Sequence, residues 1–294
     1  MPHEARLPSF LHRRVEALAK GLLSPGGSPP ADFSVPKGEP ALVPAGSVSW
    51  RVFANPVTLF VGGIAAVILE LAEPRVRAGV WEHSGFRARP LERLQRTGLA
   101  ALVTVYGPES RARAMIAGVR AAHDRVAGAT PDGTPYRASD PELLDWVQAT
   151  AAWGFLAAYT AYARPLSRAE RDAYLPEGVP VAALYGATGA PASEAEWQAL
   201  LARTLPALGP SAALDEFLTI MDRVPALPGA ARPLQRLLVR AAVSLVPPGL
   251  SRTLGLDGRG LASWQRPVVR AAAAAAERLR LESWPSAQAA RRLA

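Results

Sequence analysis

ESRARAMIAGVRAAHDRVAG, residues 109–128, carries apolar side chains at helical spacing and stops on a glycine, so it reads as one helix of an all-α protein. Ile116, Val119 and Val126 share a stripe with His123, and Arg120 lies one turn back. An imidazole on an apolar stripe needs a partner for at least one ring nitrogen. Two readings stand side by side: a core histidine bonded to a carbonyl or carboxylate, or a metal ligand. The chain has only four histidines.

The segment before it, PLERLQRTGLAALVTVYG (residues 90–107), opens with a proline suited to a first helical position. Leu91, Leu94, Ala101, Leu102 and Val105 form its core stripe. Arg93 and Arg96 lie largely opposite, with Thr97 at the rim. The later turns are apolar all round, which predicts burial. An arginine leading into such a face is placed to meet an anion. The segment after it, PDGTPYRASDPELLDW, holds a turn at Asp132-Gly133 and a capping box of Ser139 and Glu142. The helix from Asp140 to Ala163 carries core aromatics at Trp146, Trp153, Phe155, Tyr159 and Tyr162. Gln148 shares a side with Leu144 and Phe155, a polar group that needs partners once buried.

Upstream, Asn55-Pro56 opens an apolar helix to about Leu71, and its Gly62-Gly63 pair invites another backbone or a flat ligand to approach. The apolar run Val57 to Leu69 ends at Glu70. It falls short of the roughly 20 residues of a membrane-spanning helix, which predicts a core helix. Arg75 to His83 is a short helix, and Ser84 to Arg89 turns the chain. Phe10 to Leu23 reads as an amphipathic helix, basic on one side, and Ser24 to Ala45 as an extended arm. Downstream, Ser167 to Tyr174 is a short polar helix and Pro176 to Pro191 is loop-rich. Further helical patterns occupy Glu194 to Leu205, Leu214 to Met221, Pro233 to Leu245 and Pro267 to Arg280. The expected organisation is a helix and arm over residues 1–46, one all-α domain of about ten helices over 47–283, packed in a globin-like style, and a tail over 284–294.

The 294 residues are 49% apolar, enough for a sizeable core. Cysteine is absent, which removes disulfides, cysteine catalysis, iron–sulfur clusters and thiolate-ligated haem. The net charge of +8 is almost all arginine, since only Lys20 and Lys37 are lysines. Its scatter argues against nucleic acid and leaves open a weak attraction to anionic membrane surface. No secretory signal is read at residues 1–11, so the expected location is the cytoplasm, with peripheral membrane contact as an option. G-x-S-x-G, P-loop, G-x-G-x-x-G and H-E-x-x-H motifs are all missing. A remaining route to catalysis is a cofactor that asks for one axial ligand and a shaped pocket.

The succession VGGIAAVILELAEPRVRAGVWEHSGF, PLERLQRTGLAALVTVYG, VRAAHDRVAG and PDGTPYRASDPELLDWV resembles the MpaB-type oxygenase family, which shares its catalytic domain with rubber oxygenases (latex-clearing proteins). RPLSRAERDAYLPE and LVPPGLSRTLGL extend the likeness to about residues 50–260. The resemblance implies an all-α domain holding haem b between helices and using dioxygen to cleave a C=C bond in a prenyl or polyisoprenoid chain. It implies His123 as the proximal iron ligand. It matches Arg93, Arg96 and Thr97 to the family's arginine-x-x-lysine-threonine motif. Arg96 stands where rubber-cleaving members have lysine, and an arginine cannot deprotonate to coordinate iron; it would steer oxygen or a propionate instead. Gln148 stands where W-V-H is common, and can hydrogen-bond but not shuttle a proton. His83 matches the E-H-S-x-F motif. A haem slot would be walled by the Ala-rich neighbours of His123 and by the Gly62-Gly63 helix, Gly63 included, with Arg93 or Arg120 facing propionates. The rival expectation is a non-catalytic helical protein that binds haem or an apolar ligand.

Overall fold

The computed structural model describes residues 24–279 and 281–294; the helix expected over Phe10–Leu23 lies outside them. The described residues form thirteen α-helices and one small hairpin. The helices are α1 (Val48–Val52), α2 (Pro56–Ala72), α3 (Pro74–His83), α4 (Pro90–Tyr106), α5 (Glu109–His123) and α6 (Pro141–Ala158). Then come α7 (Arg168–Tyr185), α8 (Glu194–Thr204), α9 (Ala212–Arg223), α10 (Arg232–Val243), α11 (Pro248–Thr253), α12 (Arg266–Arg278) and α13 (Pro285–Leu293). Strands β1 (Ala127–Ala129) and β2 (Pro135–Arg137) pair antiparallel around Gly133, whose φ of 87° makes the turn.

Helix α2 is the axis of the fold. Asn55 caps it, accepting from Val57 and Thr58 N–H, while its Nδ2 donates to the Ala273 carbonyl of α12 at 2.9 Å. Its most extensive packing is on α6, then on α10 and α12. The crossing with α6 is glycine on glycine. A Cβ added at Gly62 would sit 2.8 Å from the Gly154 carbonyl oxygen, and one at Gly154 would sit 2.5 Å from that of Gly62. Gly62 therefore meets another backbone. Trp146 Nε1 donates to Leu69 O further along, and Trp146 stacks on Trp197. At Glu73-Pro74 the chain bends 110° into α3, whose first turn the buried Glu73 carboxylate caps. No single described helix is long and apolar enough to cross a membrane, and α2 with α3 passes such a test only as this bent pair.

Two expectations are corrected. Residues 168–185 are one helix, α7, running through Pro176 and Pro180. Each proline forfeits one ladder bond, but Tyr174, Leu175, Val181 and Ala182 are buried along it, and that packing overrides the local signal. Helix α6 starts without the Ser139–Glu142 box: Asp140 turns its carboxylate back to Arg137 N–H and Glu142 pairs with Arg75. The working capping box is Ser167–Glu170, at the head of α7. Residues 24–46 and α13 clasp each other. Gln288 accepts from Phe33 N–H, and the buried Arg292 donates to the carbonyls of Phe33 and Glu39.

Candidate functional site

The apolar interior is divided. One cluster gathers residues of α2, α3, α6, α9, α10 and α12, and another gathers α1, α4, α5, α7 and the 24–46 segment. Half-buried apolar side chains collect between them. On α2 the stripe Phe60, Gly63, Val67 and Glu70 is half-buried, while Val61, Ile64, Ile68 and Leu69 are closed off. On α6, Val147, Gln148, Ala151, Ala152 and Phe155 are half-buried in the same way. On α4, Gly98 sits in the core stripe between Leu94 and Leu102, yet a Cβ added there would touch nothing within 4 Å. A Cβ on Gly63 would meet only the Phe155 ring, at 3.8 Å. A close-packed interior leaves few such gaps; at Gly98 and at Gly63 an added methyl would find room.

Three ionisable groups stand together at one end. Glu70 is the only acid in α2 and is half-buried; burial pushes its carboxyl up to about 7, and the Arg93 charge works against that rise. Arg93, on the first turns of α4, is itself half-buried and held below the usual arginine range by desolvation, with Glu70 opposing. His123, at the end of α5, is pushed below its usual pKa by burial first and by the Arg93 charge second, with Asp124 opposing. It stays neutral at neutral pH, the form in which imidazole ligates a metal. Its Nδ1 is buried and has no hydrogen-bond partner. Buried polar atoms are nearly always bonded, so this one marks a place where a partner belongs.

The remaining residues singled out from sequence are distributed around this group. Thr97 is exposed and tied to Arg93: its hydroxyl donates to the Arg93 carbonyl at 2.8 Å and receives the Arg93 guanidinium. Arg96 is exposed, pairs with Glu92 at 3.7 Å, and acts electrostatically on Arg93. Gln148 lies on the half-buried α6 stripe and Gly63 on that of α2. Arg120 is exposed and reaches the Leu184 carbonyl of α7 at 3.5 Å. His83 is exposed on α3, its Nε2 3.3 Å from the Tyr136 hydroxyl of the hairpin. The structure thus brings Arg93, Thr97 and His123 together and gives Arg120 and His83 other partners. Along α5, Ile116 is buried and Val119 half-buried, while Ala121 and Ala122 beside His123 are exposed.

Sequence reasoning passed over Glu70, taking it as the end of an apolar run. The signal was there: a single carboxylate in the last turn of VGGIAAVILELA, at the helix end where an acid is least favoured.

The donor chemistry suits a haem better than a bare ion. Among the described residues no three His, Asp or Glu side chains gather to hold a metal. A haem iron asks for one imidazole, a slot lined with small and apolar residues, and a cation for its propionates. His123, the half-buried Gly63 and Phe155 stripe residues, and Arg93 are of those kinds. No curated protein and no solved structure matches the chain. Residues 50–280 match the family described as ER-bound oxygenase mpaB/B′/rubber oxygenase, catalytic domain, and the chain belongs to that family.

Proposed function

We propose that this protein is a haem b-dependent oxygenase that uses dioxygen on a hydrophobic, prenyl-type substrate. The observation that carries the reading is the buried, partnerless Nδ1 of a neutral His123 beside Arg93, which also acts on Glu70, within an oxygenase catalytic domain. Haem b, when bound, supplies the redox chemistry by which dioxygen cleaves a C=C bond into two carbonyl products. His123 would hold the iron. Arg93 offers its charge to a propionate or to oxygen, and Thr97 fixes the Arg93 guanidinium in place. Glu70, poised near neutrality, takes and returns a proton close to the reacting bond. Gln148 can orient a polar atom by hydrogen bonding but moves no proton. The half-buried apolar stripes of α2 and α6 exclude water and receive a chain of isoprenoid character.

The test is direct. Haem added to the purified protein should give a Soret band, and His123→Ala should abolish it. Reduced haem protein should then consume oxygen with prenyl alcohols or oligoisoprenes and yield carbonyl products. A Soret band unchanged in His123→Ala removes the ligand assignment. Haem uptake without oxygen consumption across the panel favours the non-catalytic binder instead, a reading to which the outward, Glu92-paired Arg96 lends some weight.

A further inference from the structure

A groove of about 680 Å³ lies beside the head of α4. Its lining includes Pro90, Leu91 and Glu92 of α4, Val224 and Pro225 just after α9, and Ser24 at the start of the described chain. That volume lies within the range of clefts that take a ligand, and most of these side chains are apolar. The chain enters the fold here. Its first described turn, Pro25–Gly27, packs along α4, and a Cβ added at Gly26 would lie 3.6 Å from the Glu92 carboxyl carbon. Residue 23 is therefore joined directly to a residue of the groove.

We infer that residues 10–23 dock in this groove, with Leu11, Val15, Leu18 and Leu22 laid against it. The sequence spaces these four at intervals of four, three and four, one helical stripe, and puts Arg13 and Lys20 on the opposite side. Leu22 stands two residues before Ser24. A tether that short holds the stripe at the groove at an effective concentration of about millimolar, which a free partner or a second copy would have to exceed. Apolar side chains on both sides favour the contact, because each removes the other from water. Docked there, the stripe braces the first turns of α4, the helix that carries Arg93 and Thr97. The inference stands apart from the oxygenase reading, since neither groove nor stripe contains a residue of the proposed haem site.

The absence of cysteine makes cross-linking in the full chain a clean test. Leu18→Cys with Pro225→Cys, the latter at an exposed position, should close an intramolecular disulfide under mild oxidation. Lys20→Cys with Pro225→Cys is the control, because position 20 is nearer the tether but opposite the stripe. A docked stripe should cross-link the first pair about tenfold faster than the second; a loose tether would join the two alike or favour the second. Val15→Asp with Leu18→Asp should speed amide exchange over residues 91–95 about tenfold, while α6 and α10 exchange as in wild type. Equal cross-linking rates for the two pairs overturn the inference, and so does wild-type exchange at the head of α4 in the double aspartate variant. Disulfides between chains in place of the intramolecular one also overturn it and give the groove to a second copy.

Discussion

Glycine is used in opposite ways at the α2–α6 crossing and on α4. At the crossing, Gly62 and Gly154 let two backbones approach until a single added Cβ would lie 2.5–2.8 Å from a carbonyl oxygen. On α4, Gly98 is half-buried in its core stripe, and a Cβ there would meet nothing within 4 Å. The first region spends the missing side chain on contact; the second leaves the space. Interiors close on themselves wherever they can. On the proposed haem reading, the room at a half-buried glycine of the helix that carries Arg93 is room for a ligand.

The contrast breaks most violently at Gly154. Gly154→Leu must force α2 and α6 apart, since the obstacle is backbone and Ala66, none of which can swing aside. Overpacking of this kind costs about 3 kcal/mol or more, so the variant is expected in inclusion bodies or with a urea midpoint far below wild type. Normal expression and an unchanged midpoint would mean that the crossing is looser than its geometry.

Glu70 gives the next largest effect, and its sign is specific. Burial raises the folded-state carboxyl from 4.5 to about 7. Between those values the folded chain keeps a proton that the unfolded chain has released. Stability contributed by this group is therefore full below about pH 4.5 and lost as pH rises through about 7. Glu70→Gln removes the titration. At pH 8 the variant should be more stable than wild type by roughly 2–3 kcal/mol, and near pH 4 the two should coincide. Urea unfolding across that range reads the difference, and parallel curves at all pH values would remove Glu70 from the buried ionisable groups.

Glu70 also shows where sequence reading stops. Asn55-Pro56 and the apolar run located α2, because capping and burial are written in consecutive residues. The Gly62 contact was foreseen as a close approach, though not its partner, because Gly154 lies 92 residues away and nothing local names it. His123 was placed on its stripe by spacing alone; that Arg93 lies near it depends on how α4 and α5 pack. The same blindness misread α7, where two prolines outweighed a buried face visible only once its neighbours were in place. Short-range signals found the elements, and the meeting of Glu70, Arg93 and His123 needed three helices at once.

The smallest effect is the most discriminating. Gly98→Ala adds a methyl where nothing stands within 4 Å, so it brings no clash. It also stiffens a helix interior, which in the ligand-free protein should raise stability by up to about 1 kcal/mol. Gly98→Leu extends further into the same space. If that space is a gap kept for a cofactor, the leucine variant should fold as well as wild type, yet lose the Soret band on haem addition. If Gly98 merely borders solvent, both variants should take up haem as wild type does, and the gap would belong to imperfect packing. Stability unimpaired together with binding lost is an outcome that no core position produces, since a residue in contact with its neighbours cannot be enlarged for nothing.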